Sequence, residues 1–294
     1  MQVKVVRRQV ASILKVTGRD RIQFIQGMIT NDVTGEFPTT GLRAFHLDSK
    51  GAIVFPMTVH VSSDALYIDI EGAVSQDVIS TLDHYLVMER CSLSDAVGEY
   101  PSYWLLGDIA DIFPEDTRSI DGNLHVVNVG SVALYALPIL RRSGPCFVVW
   151  SLGCDVLPVL ENAGAVSATY AIAEAERLSA SIPAGCNDFA RILAMECGIV
   201  DGTISFKKGC YIGQEVTARI DARGRTHREL ACLEIDGEIE VGDVYSGENV
   251  VGQVRSATTI GAERTLAICH LRNEARFDPL SVGKVGVSVV RNVV

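Results

Sequence analysis

The chain has 294 residues, 48% of them hydrophobic and 21% charged, with a formal net charge of −10. That balance excludes a disordered or collagen-like polypeptide, and the length suits two domains. The acidic excess argues against general nucleic-acid binding, which needs a net basic face. The longest apolar run, nine residues from Val132 to Leu140, falls short of the about 20 that a membrane-spanning helix needs. Met1 to Lys15 lacks the apolar core of a secretion signal. Eight cysteines (Cys91, Cys146, Cys154, Cys186, Cys197, Cys210, Cys232 and Cys269) are scattered without a CxxC pair. No zinc or iron–sulfur site is encoded in that spacing, which suits the reduced thiols of a cytoplasmic protein.

In chain order, Ile22, Ile25, Met28 and Ile29 recur at helical spacing and predict a helix over 18–32, with Thr17 as its N-cap. Strands follow at 44–48, 52–61 and 65–70, separated by Ser49-Lys50-Gly51 and Ser62-Ser63-Asp64, a β-meander. Val74, Val78, Leu82, Tyr85 and Leu86 predict an amphipathic helix over 73–89 packed on that sheet. Short apolar runs at 103–106, 124–129, 132–137 and 146–150 predict a second sheet, and helical patterns return at 155–162 and 168–180. Ser181 to Gly185 breaks the chain. From Leu230 onward the runs 230–235, 249–255, 265–271 and 284–290, joined by Gly-rich connections, predict a small all-β barrel. The expected division is therefore 1–229 and 230–294.

One segment concentrates charge. Between Lys207 and Arg228, six cations (Lys207, Lys208, Arg219, Arg223, Arg225, Arg228) face two acids (Glu215, Asp221) in a protein of net −10. A local positive spot in an acidic protein suits an anion, although the same charges suit a solvated, salt-bridged loop. Cys210 lies inside it, after a lysine and a glycine, where an ammonium favours thiolate; an ordinary cysteine is the alternative.

The run Lys208-Gly209-Cys210-Tyr211-Ile212-Gly213-Gln214-Glu215, continuing through Ala218 and Arg219, resembles the signature of the YgfZ-like folate-binding proteins. These are relatives of the T-protein, the aminomethyltransferase of the glycine cleavage system. Phe24-Ile25-Gln26-Gly27 leading to Thr30-Asn31-Asp32-Val33 is similar to the family's N-terminal element, and Leu47 to Gly51 to its following strand and turn. Ile204-Ser205-Phe206 precedes the signature as in the family, and Gly247 to Ser256 resembles the opening hairpin of its C-terminal barrel.

The resemblance implies an α+β fold: a T-protein-like folate-binding body of antiparallel sheets with flanking helices around a central hole, plus a small C-terminal β-barrel. It implies tetrahydrofolate as ligand and iron–sulfur enzymes as clients, among them radical enzymes that modify transfer RNA, without direct nucleic-acid contact. Cys210 would carry the chemistry, with Lys208 lowering its pKa. Tyr211 and the arginines Arg219, Arg223 and Arg225 would hold the pterin and the glutamate tail, while Gln214 and Glu215 orient the loop. Asn31 and Asp32 complete the candidate set, Asp32 either as an acid or as part of a turn. Trp104 and Trp150 fall in core strands, with one of them a candidate pterin wall.

The chain also departs from the enzyme branch. Gly51 to Pro56 carries no acidic pair, and Gly144 to Val149 offers no acid, so charge developing at a folate amine has no evident partner there. Glu196 keeps its register before the signature, whereas Ser181-Ile182-Pro183 replaces the usual run. Two readings stand: a folate-dependent accessory protein for iron–sulfur clusters, and a one-carbon transferase or demethylase acting on a small amine.

Overall fold

The computed structural model describes residues 2–107, 112, 123–239, 241–261 and 263–294. A five-stranded antiparallel sheet is built from β2 (Ala11–Thr17), β3 (Leu42–Leu47), β4 (Ile53–Val61), β5 (Ala65–Glu71) and β6 (Ser92–Asp95), in the order β3-β4-β5-β2-β6. The second sheet takes β1 (Lys4–Arg7), β7 (Tyr103–Leu106), β8 (His125–Val129), β9 (Val132–Pro138), β10 (Cys146–Trp150) and β11 (Val166–Ser167), in the order β11-β1-β7-β10-β9-β8. Its β1–β11 pair is parallel.

Strand alternation explains the layers, because neighbouring side chains point to opposite faces. Ile13, Tyr67, Trp104, Leu106, Val148 and Trp150 form one core between the two sheets. Leu14, Val16, Leu66, Ile68 and Ile70, on the other face of the first sheet, pack with residues of α1 (Arg21–Met28) and α2 (Ser75–Asp83). Val3, Val5, Tyr103, Leu105 and Val149 pack with Leu160 of α3 (Leu157–Asn162). α4 (Tyr170–Ser179) and α5 (Gly185–Phe189) follow, then α6 (Gln214–Arg223).

The remainder is a closed six-stranded barrel, β12 (Arg228–Ile235), β13 (Asp243–Ser246), β14 (Asn249–Ile260), β15 (Arg264–Arg272), β16 (Leu280–Val282) and β17 (Val285–Asn292), with the order β12-β15-β14-β13-β16-β17. Closure leaves no free strand edge. Ala231, Leu233 and Ile235 fill its interior, while Leu230 and Cys232 on the other face share a core with Leu178, Phe189, Cys197 and Ile199 of the body. Among the described residues no helix is long and apolar enough to cross a membrane.

The α+β class, the meander and the C-terminal barrel agree with expectation; several boundaries differ. The first helix starts at Arg21 because Gly18 takes φ +101° and an added Cβ there would meet Arg90 O at 2.3 Å. Thr17 belongs to β2. The second helix ends at Asp83, and Val87 and Met88, expected within it, are exposed.

Candidate functional site

The motif fragments, distant in sequence, converge into one platform. α1 ends at Met28 with Ile29 extended, leaving C-terminal carbonyls without intrahelical partners. Lys208 ties this end to the turn beyond it: its Nζ donates to Gln26 O at 2.7 Å, Ile29 O at 2.8 Å and Asn31 O at 2.6 Å. Burial pushes this ammonium down to about 8, partly opposed by Asp32. Gln26 closes the turn by donating to Asp32 Oδ1 and accepting from Val33 N, both at 2.9 Å. Thr30 Oγ1 donates to Thr203 O at 2.7 Å, and Ser205 N donates to Thr30 O at 2.9 Å, tying the segment before the signature to the same turn.

Asn31 donates through Nδ2 to Arg43 O and Gly202 O, and its Oδ1 accepts from Asp32 N. The Asp32 carboxylate accepts from Thr34 Oγ1 at 2.6 Å and Thr34 N at 2.9 Å, bonds that hold its pKa below the usual carboxylate value. Both residues therefore build the turn. From the other side, Asp48 Oδ1 accepts from Lys50 N and Ala52 N, shaping the β3–β4 turn on which the signature rests. Gly213 starts α6 at φ +79°; a Cβ there would meet Asp48 O at 2.6 Å. Tyr211 is 7% exposed, part of the body–barrel core, with the Lys208 ammonium 5.3 Å from its ring centre.

The product of these buried contacts is an exposed Cys210. All three Lys208 donors are taken by carbonyl oxygens, so the lysine that the sequence sets beside the thiol as its activator serves here as the clamp of the platform. Glu215 and Arg219 pair across one turn of α6, both exposed, and Arg223 and Arg225 are exposed beyond it.

A second constellation lies at the centre of the body. Two clefts of about 60 and 160 Å³ share Glu71, Ala184 and Gly185. The smaller reaches Phe45, Arg141 and Phe189; the larger is walled by Trp104, Tyr170, Glu174, Arg177 and Cys186. Arg141 stands 3.6 Å from the Trp104 ring centre and is paired with both Glu71 and Glu174. Arg177 binds Glu174 and Asp188 at 2.6 Å each, and its Nη2 donates to Ser256 Oγ on β14 at 3.0 Å. Burial raises the pKa of Glu71 beyond what Arg141 offsets; for Glu174 burial acts in the same sense, but Arg177 and Arg141 prevail and lower it. Burial also pushes the Cys186 thiol up to about 11. The Trp104 indole N–H is buried with no acceptor among the described residues.

None of Tyr211, Gln214, Glu215, Arg219, Arg223, Arg225, Asn31 or Asp32 lines these two clefts, nor does Cys210. The clefts' acids come from β5 and α4, outside the Gly51 to Pro56 and Gly144 to Val149 stretches in which the sequence reading sought them. The sequence signal for them was slight: Asp69 and Glu71 interrupt an otherwise apolar strand, and Glu174 and Arg177 stand at helical spacing within α4.

No protein-family model matches the chain. Its fold is similar to the crystal structure of glycine cleavage system aminomethyltransferase T from Bartonella henselae, with a TM-score of 0.81 at 12% identity, covering 100% of this chain and 85% of that one. The molecule thus has the aminomethyltransferase T fold. Among curated proteins it is similar to the tRNA-modifying protein YgfZ of Colwellia psychrerythraea, 24% identical over 230 residues, 75% of this chain and 68% of the relative. The YgfZ of Cronobacter sakazakii is 26% identical over 285 residues, 90% of this chain and 83% of that protein. The mitochondrial iron-sulfur cluster assembly factor IBA57 homolog of Neurospora crassa is 22% identical over 233 residues, 75% of this chain and 51% of its own length. The resemblance to the YgfZ-like family is borne out by these relatives.

Proposed function

We propose that this chain is a tetrahydrofolate-binding accessory protein in iron–sulfur-cluster-dependent tRNA modification, which meets its client proteins at Cys210. The observation that carries the reading is the spatial separation of two sites. Cys210 is exposed between the buried Lys208 and Tyr211, while the central clefts, walled by aromatic and ion-paired side chains, are not lined by it. A thiol that served a ligand in the cleft would have to face it; an exposed one suits a macromolecule. The names of the relatives, tRNA-modifying protein and iron-sulfur cluster assembly factor, support the same direction.

The residues around the clefts fit a folate. A pterin presents both donors and acceptors on a flat ring. The unpartnered Trp104 N–H offers it a donor, the Glu71 carboxyl an acceptor, and Trp104 and Tyr170 offer aromatic walls. Bound there, the folate would supply a carrier for a one-carbon unit. Arg141 and Arg177 hold Glu71 and Glu174 in fixed positions, so the recognition surface is set before binding. The competing one-carbon transferase needs an acid at liberty to stabilise a developing cation. Glu71 and Glu174 are both tied to guanidinium groups instead.

Calorimetric titration of the protein with tetrahydrofolate under anaerobic conditions, beside Trp104→Phe and Cys210→Ser variants, tests the pocket. Saturable binding that Trp104→Phe weakens and Cys210→Ser leaves intact is expected; absence of binding to the folded wild type would remove folate from the reading. Activity of iron–sulfur tRNA-modifying enzymes in a strain lacking the protein tests the thiol. Complementation by wild type and not by Cys210→Ser is expected, and full rescue by the serine variant would overturn the role of Cys210.

A further inference from the structure

The basic segment that the sequence singles out lies away from the central clefts, which leaves its charge unexplained. After α6 the chain turns at Gly224, carries Arg225 to His227 over the barrel end, and enters β12 at Arg228. Asn273 fixes this passage: its Nδ2 donates to Thr226 O at 3.1 Å and its backbone N–H to His227 O at 3.0 Å. Arg228 and Arg272 are direct partners on β12 and β15, so two like charges stand opposite each other on one face of the sheet. Like charges in that register are unfavourable. Neither has an ion-pair partner among the described residues, and the same is true of Arg223 and Arg225. Of the nearby acids, Glu229 pairs with Arg276, Glu196 with His270 and Glu215 with Arg219, while Asp221 and Glu274, both exposed, form no ion pair with these arginines among the described residues.

We infer that Arg223, Arg225, Arg228 and Arg272 form a docking surface for an acidic segment of a partner protein. Uncompensated guanidinium groups in adjacent positions offer bidentate sites to carboxylates. The net charge of −10 favours a short acidic segment over a nucleic acid. Beyond a Debye length of about 8 Å a long polyanion would meet a repulsive surface, whereas a few carboxylates fit within the patch. Placement gives the surface a use. α6 has ten residues and so spans about 15 Å, with Cys210 just before its first turn and the arginines at and beyond its last. A partner held there needs about five extended residues to reach the thiol. The inference names where a client is held and rests on the client reading above for the role of that client.

The test is fluorescence anisotropy of a labelled octaglutamate peptide with the full-length protein at 50 and 200 mM salt. The variants are Arg223→Glu/Arg225→Glu and a control of equal charge change, Arg19→Glu/Lys284→Glu, at exposed positions elsewhere. Expected are saturable binding weakened by salt, an at least tenfold loss in the first variant, and near wild-type binding in the control. An equal loss in the control would reduce the effect to overall charge and overturn the site. Absence of binding at 50 mM salt would do the same. Tighter binding of a single-stranded uridine octamer than of the peptide would overturn the choice of partner. The titration contains no folate, so a failure here is distinguishable from a failure of the folate pocket, and the converse holds.

Discussion

Lys208 shows how a residue in a chemistry-bearing motif can act through geometry. Three carbonyl oxygens converge on its ammonium, and removing the donors leaves buried acceptors unsatisfied. Lys208→Met is expected to cost about 3 kcal/mol of stability, measured as a shift in the urea unfolding midpoint. Lys208→Arg should recover only part of it, because a planar fork cannot meet three converging acceptors. His46 gives the molecule a pH dependence. Its ring is buried, 1% exposed, with Nδ1 donating to Met28 O at 2.8 Å. Burial lowers its pKa below 6.5, more than the Met28 contact raises it. As pH falls through 6.5 the unfolded chain takes up a proton that the folded ring resists, so stability falls in that window. Unfolding midpoints between pH 7.5 and 5.5 should show this decline, and His46→Gln, which keeps a donor for Met28, should flatten it.

At the scale of elements, the two glycines bounding α6 make a matched experiment. Both take left-handed conformations, Gly213 at φ +79° and Gly224 at φ +70°, but a Cβ at Gly213 meets Asp48 O at 2.6 Å and one at Gly224 meets nothing within 4 Å. Gly224→Ala should cost about 1 kcal/mol from backbone strain alone. Gly213→Ala adds displacement of the β3–β4 turn and should lower the thermal midpoint by at least twice as much. The helix between them was not legible in the sequence: its charged, glycine-bounded run has no apolar stripe, and it reads as a loop. Strands with strong alternation were legible to within a few residues. The N-terminal strands β1 and β2 were missed because arginines and polar residues interrupt them, and β6 because Ser92, Ser94 and Asp95 make a polar edge. For the site, the motif fragments named in the sequence meet in space around Lys208, beside the exposed Cys210. The cleft acids escaped because Glu71 and Glu174 come together only through tertiary pairing with Arg141.

Across the whole molecule, Arg177 links the parts. Its guanidinium joins Glu174 on α4, Asp188 on α5 and Ser256 on the barrel, and Ser256 Oγ in turn donates to Asp188 Oδ1 at 2.6 Å. Arg177→Met would leave the buried Asp188 without its cation and Glu174 with Arg141 alone, at a cost of about 3–5 kcal/mol. Ser256→Ala removes only a neutral hydroxyl and should cost about 1 kcal/mol. Urea denaturation of both variants should separate them by that margin. One consequence of the central architecture is optical. The chain has two tryptophans, both 1% exposed and both in the core between the sheets, yet only Trp104 lines the cleft and lies against a guanidinium. With Trp150→Phe the protein's tryptophan emission would come from a single indole at the wall of the pocket. The emission of that indole would then report, without any label, when the chamber fills and how fast.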